Sequence, residues 1–146
     1  MTELTPDLWV RIADNSPDGI LICDPTGTIR YWNRGAERIF GFPRDKVIGA
    51  SLDLIIPERL RARHWAGWRT AMGTGQTKYA EGQLLSVPAV HAEGRRLSIE
   101  FSIQLLAGSN GDVAWVVAAV RDVTERFNRE KALRTELSVL QRLMPR

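Results

Sequence analysis

The chain has 146 residues, of which 44% are hydrophobic and 25% charged, and a formal charge of +3. That length holds one ordinary hydrophobic core plus appendages, and the modest charge is not gathered into a run that would argue for nucleic acid. The lone cysteine, Cys23, excludes an intramolecular disulfide and a cysteine-built metal cluster; with no apolar run long enough for a bilayer and no basic-then-apolar start, the expectation is a soluble, cytoplasmic protein.

The first element expected is a short helix over Leu4 to Asn15, with Leu8, Trp9 and Ile12 on one side to cover an edge or face of the main domain. A tight hairpin follows. Gly19 to Cys23 reads as a buried strand, Asp24-Pro-Thr-Gly27 as its turn, with proline at the first corner and glycine at the later one, and Thr28 to Trp32 as the return strand. Asn33 then suits a helix N-cap, its side-chain oxygen facing the free backbone donors of the next turn. Phe42 to Gly49 is a further turn plus helix, and Ser51 to Ile56 leads to a longer helix beginning at Pro57 and running to about Met72, with Gly73-Thr-Gly75 ending it.

Strands dominate the second half. Lys78 to Val90 offers one with Tyr79, Leu84, Leu85 and Val87, although Pro88 places its end at an edge or bulge. From Arg96 to Leu105, Leu97, Ile99, Phe101, Ile103 and Leu105 alternate with polar residues, the period of a half-buried strand, and these five should line a concave interior. Asp112 to Val120 is apolar on both faces, as a covered central strand would be. From Glu125 to Leu143 the chain favours a helix, with Leu133, Leu137, Leu140 and Met144 spaced four, three and four apart in one seam. The seam either pairs with a second copy or folds back on the sheet.

Several of these segments carry a family pattern. Asp24-Pro-Thr-Gly27, Ile29, Asn33, Ala36 and Phe40-Gly-Phe42 together resemble the opening of PAS sensory domains; Gly41 to Gly49 continues it, with Lys46 where an acidic residue is common, and Asp122-Val-Thr-Glu-Arg126 matches the closing motif. The resemblance covers about residues 12 to 124. It implies an α+β PAS fold, a five-stranded antiparallel sheet with short helices on one face, flanked by N-terminal and C-terminal helices: residues 1–15 as the flanking helix, 16–124 as the domain, and 125–146 as a signalling or dimerisation helix.

The same resemblance frames the cofactor question. Flavin-binding light sensors carry a cysteine on a mid-domain helix and coumarate sensors a cysteine thioester, whereas Cys23 lies in the first strand, so both are set aside. Haem b remains. On a 3.6-residue period Leu60, His64, Gly67, Trp68 and Ala71 share one stripe, so His64 should face the core, where an imidazole must be hydrogen-bonded or metal-bound. Pro57 to His64 also resembles the haem-binding helix of the oxygen-sensor histidine kinases, and His64 falls on their proximal ligand. The arginine those sensors carry on a later strand is missing from Tyr79 to Leu85, where Gln83 can donate a hydrogen bond to a bound diatomic instead.

Other chemistries find little support. His91 has no second ligand at metal spacing and reads as a solvated loop residue; no phosphate loop, nucleophile triad or kinase motif is present, so no catalytic residues are expected. Trp9, Trp32, Trp65, Trp68 and Trp115 are scattered over different elements, with Trp65 and Trp68 expected to border a pocket. The expected function is a sensor, not an enzyme, whose pocket is formed by the His64 helix, Trp68, Gln83, Leu85, Ile99, Phe101 and Val117. It would relay occupancy through the C-terminal helix, as a homodimer, to an effector such as a histidine kinase, cyclase or transcription regulator, with no direct nucleic-acid contact. The alternative is a ligand-free interaction or dimerisation module with a filled core.

Overall fold

A computed structural model describes residues 3–77 and 82–145. Five strands, β1 (Gly19–Cys23), β2 (Ile29–Trp32), β3 (Leu85–Val90), β4 (Arg96–Ala107) and β5 (Val113–Asp122), form one antiparallel sheet in the order β2-β1-β5-β4-β3. Five α-helices accompany it: α1 (Pro6–Asp14), α2 (Arg34–Phe40), α3 (Arg44–Val47), α4 (Arg61–Thr74) and α5 (Thr124–Leu143), with 3₁₀ turns at Leu52–Ile55 and Glu58–Leu60. The expected strand of 78–90 begins only at Leu85. Tyr79, named for that strand, lies outside the described residues.

Register decides which side chains meet. Phe101 pairs with Val120, Ile103 with Ala118 and Leu105 with Val116, while Leu21 pairs with both Ala118 and Trp32. Because side chains alternate across a strand, these residues share the inner face with Leu97 and Ile99. Here sit Trp32, Phe40 and Ile29, all fully buried, and burial of each such side chain contributes about 2 kcal/mol. Phe101, Ile103 and Leu105, expected to line a concave interior, stand on this face and are half-buried. β5 is central as predicted, yet it is not covered on both sides: Trp115 is exposed on the outer part of the sheet.

Asn33 ties three segments together. Its Oδ1 accepts from the N–H groups of Ala36 (2.9 Å) and Ile20 (2.8 Å), and its Nδ2 donates to the carbonyls of Ala13 (2.8 Å) and Asp18 (3.0 Å). The expected cap of α2 is therefore also the anchor of α1. Asp14 adds to that anchor, accepting from the Arg44 guanidinium and from the Tyr31 hydroxyl. Beyond these C-terminal ties α1 is loosely held, and Trp9 and Ile12, expected to cover the domain, are exposed.

α5 follows β5 directly. Its first turn is fastened to β4, where Ser98 N–H donates to Thr124 Oγ1 (2.9 Å), Val123 N–H donates to the Ser98 carbonyl (2.9 Å), and Arg126 pairs with Glu100 (2.7 Å). Asp122 caps the start by accepting from Thr124 N–H (2.9 Å). From Leu133 onward the seam is exposed and does not fold back on the sheet.

Candidate functional site

The longer helix differs from its expected form. Residues 58–60 make a 3₁₀ turn, α4 starts at Arg61, and Gly75 with φ 74° ends it, a left-handed conformation that glycine adopts at no steric cost. No residue of α4 is fully buried. Of the stripe expected to face the core, Leu60, His64, Trp68 and Ala71 are half-buried and Gly67 is exposed; Trp65, Trp68 and Met72 pack against the core, and two indole N–H groups add specific ties. Trp65 Nε1 donates to Asp53 Oδ1 (2.7 Å) and Trp68 Nε1 donates to the Pro25 carbonyl (2.7 Å).

His64 stands among these rings, edge-on to Trp65 with centroids 4.6 Å apart and 5.8 Å from Trp68. Its Nδ1 is shielded from solvent with no hydrogen-bond partner. Burial pushes the imidazole pKa below the usual histidine value, against the opposing pull of the Asp53 carboxylate, so the ring is neutral at physiological pH. An orphaned nitrogen of this kind costs on the order of 1–3 kcal/mol, which a metal bond or a hydrogen bond would relieve.

The remaining site residues fall into separate places. Leu85 and Phe101 are register partners on the inner face, with Ile99 further along the same face. Trp68 and Phe101 both pack against the one buried core. Val117 does not join them. It pairs with Ile22 and Gln104 and so lies on the opposite, outer face; its neighbours Val116 and Ala118 point inward instead. Gln83 is exposed ahead of β3.

Sequence reasoning also missed His91. Expected in solvent, it is 7% exposed, with Nδ1 accepting from the Glu93 N–H (3.1 Å) and its ring against Gly41, where an added Cβ would come within 2.4 Å of Cε1. The signal was the glycine in the Phe40-Gly-Phe42 segment, which leaves room for a ring.

Donor chemistry tests the haem reading. Among the described residues no group of three or more His, Cys, Asp or Glu side chains is placed to hold a metal ion. A bare cation would therefore lack a ligand set. A neutral imidazole with a shielded nitrogen that no hydrogen bond occupies is the kind of donor that a cofactor bringing its own four nitrogens would take, and His64 is the residue that would hold it.

Comparison with known proteins agrees with this architecture. The chain is 27% identical over 140 residues to the sensor protein FixL of Bradyrhizobium diazoefficiens, covering 90% of this chain and 26% of that protein. It is 25% identical over 134 residues to the oxygen sensor protein DosP of Escherichia coli, covering 84% and 16%. The chain spans between 16% and 26% of the length of the curated relatives it matches. Among solved structures, a PAS domain from Colwellia psychrerythraea superposes with a TM-score of 0.70 at 19% identity, covering 82% of this chain and 97% of that one. The family model described as the PAS fold matches residues 13–128, and the chain belongs to that family.

Proposed function

We propose that this chain is the sensing module of a signalling protein, that its ligand site lies between α4 and the inner face of β4, and that haem b held through His64 is the ligand it suits best. The observation that carries the reading is the His64 imidazole: neutral, half-buried and orphaned at Nδ1. One relative bears the name of an oxygen sensor, which agrees with it. Haem would supply an iron that binds a diatomic gas or changes redox state. His64 would hold it, Trp68, Leu85, Ile99 and Phe101 would exclude water around it, and Gln83, exposed ahead of β3, would be a candidate donor toward a bound gas. Occupancy would act by shifting the balance between two positions of the domain, limited by the ligand's differential affinity for them.

Residues 16–124 would be the sensing unit, with 1–15 and 125–146 as flanking helices through which two copies pair and reach an effector. The exposed seam of Leu133, Leu137, Leu140 and Met144 supports the pairing role. A ligand-free docking module is the second reading, favoured by one fact: open grooves lie beside α5, one of them lined by Val87, Ile99 and Phe127.

Titration of the protein with hemin, followed by ferric, ferrous and carbon-monoxide absorption spectra, tests the proposal. Stoichiometric uptake with a Soret band that shifts on reduction and gas binding, and that is lost in His64→Ala, is expected. Failure of the wild-type protein to take up one haem, or retention of the same spectrum by His64→Ala, overturns it.

A further inference from the structure

The way α4 is fastened has consequences of its own. With no fully buried residue, it rests on two indoles one helical turn apart. The Trp65 ring lies so close over Gly27 that a Cβ there would come within 2.2 Å of Cη2, and the Trp65 and Trp68 N–H groups end on Asp53 and on the Pro25 carbonyl. None of these anchors is in the sheet. Pro25 and Gly27 belong to the β1–β2 turn, and Asp53 to the 3₁₀ turn after α3. The β1–β2 turn is itself braced, because the Asp24 carboxylate accepts from Thr26 N–H (2.9 Å), Thr28 N–H (3.2 Å) and Arg30 Nε (3.0 Å).

Besides the packing of Trp65, Trp68 and Met72 against the core and the bonds that the Arg61 guanidinium donates to the Ile56 and Asp53 carbonyls, α4 is attached to a rigid corner by two exchangeable indole hydrogen bonds. Water can replace both partners without cost to any sheet bond. On the inner face of the sheet, Phe101, Ile103 and Leu105 are incompletely covered, and the His64 Nδ1 lacks a partner.

We propose that the Trp65 and Trp68 indole N–H groups form a clasp that holds α4 closed, and that release of this clasp is the route by which a ligand reaches His64 and the inner face of β4. The clasp deepens the ligand-site reading above, since it needs the site to lie beneath α4; the opening itself is measured on the ligand-free protein. Phenylalanine at either position keeps an aromatic ring and removes the donor with the five-membered half of the bicycle, so Trp65→Phe and Trp68→Phe probe the bonds while keeping part of the packing. An ordinary hydrogen bond lost in this way changes an opening equilibrium about fivefold, and two about thirtyfold.

Amide hydrogen exchange of wild type, the two single variants and the double variant tests this. The expected result is exchange across residues 61–74 that is about fivefold faster in each single variant and about thirtyfold faster in the double, with β4 and β5 unchanged. Binding of the apolar probe 8-anilinonaphthalene-1-sulfonate should rise in parallel. Exchange of 61–74 within twofold of wild type in the double variant overturns the clasp. So does uniform acceleration of helix and sheet together, since the indoles would then belong to the global fold. Should hemin fail to bind while α4 exchange accelerates locally, the haem reading falls and the clasp stands.

Discussion

Replacing Asn33 by alanine is the most informative perturbation of the fold. The side chain is fully buried and makes four hydrogen bonds, two as acceptor from Ile20 and Ala36 and two as donor to the Ala13 and Asp18 carbonyls. At about 1 kcal/mol for each lost bond the substitution costs about 4 kcal/mol, of which the α2 cap accounts for about 1. Against a total stability of about 5–15 kcal/mol this is a large fraction. With a urea slope of about 2 kcal/mol per molar, the denaturation midpoint should fall by about 2 M. Far-UV circular dichroism during urea unfolding measures it.

Asn33→Asp sharpens the test. It keeps the oxygen that accepts from Ile20 and Ala36 but turns a second oxygen toward two carbonyls, so burial and repulsion raise the carboxyl's folded pKa above its unfolded value near 4. The native state then retains a proton that the unfolded chain releases, and the variant loses stability as pH rises above about 4. At pH 7 it should be at least as unstable as Asn33→Ala, and at pH 4 closer to wild type. A midpoint for Asn33→Ala within about 0.5 M of wild type would refute the four-bond reasoning.

Three further outcomes follow from close contacts and burial. Gly35→Ala should accumulate poorly as folded protein, because its Cβ would stand 2.1 Å from the Asp18 carbonyl oxygen, a backbone atom with little freedom to retreat; soluble yield and thermal unfolding check this. Gly41→Ala should destabilise by several kcal/mol, since φ is 79° and the new Cβ would meet the His91 ring, and His91→Ala should relieve only the clash and not the backbone strain. Burial, reinforced by the Asp24 carboxylate, pushes the Cys23 thiol up to about 12 from 9.0. The unfolded chain therefore loses that proton first, and the thiol's contribution to stability, full below pH 9, declines as pH rises from 9 toward 12. Iodoacetamide at pH 9 should label Cys23 rapidly in urea and barely at all in the native protein.

How much of this was legible in the sequence depended on whether the partner was local. The alternation of Leu97 to Leu105 and the proline-glycine turn at 24–27 are written in neighbouring residues, and both elements formed as read. Asn33 was legible as a cap of the next helix but not as the anchor of α1, because Ala13 and Asp18 contribute backbone carbonyls that no residue type announces. The α4 stripe was legible as the side turned inward, since Leu60, His64, Trp68 and Ala71 are half-buried, but the two ring N–H bonds to Asp53 and Pro25 were not, because periodicity carries no information on where an indole N–H ends. Val117 misled for a different reason: β5 is apolar at every position near it, so only the pairing of Ile103 with Ala118 tells which side chains point inward.

The fastening of α5 to the sheet makes the helix a lever. It has 20 residues, and at 1.5 Å per residue it extends about 30 Å from a fulcrum made by Thr124, Ser98 and the Arg126–Glu100 pair. A tilt of about 10° at that fulcrum, a scale that the twist of a central strand can absorb, swings its far end by about 5 Å. That is about half the diameter of a helix, so a displacement too small to see within the sheet is amplified at the exposed leucines of the tip.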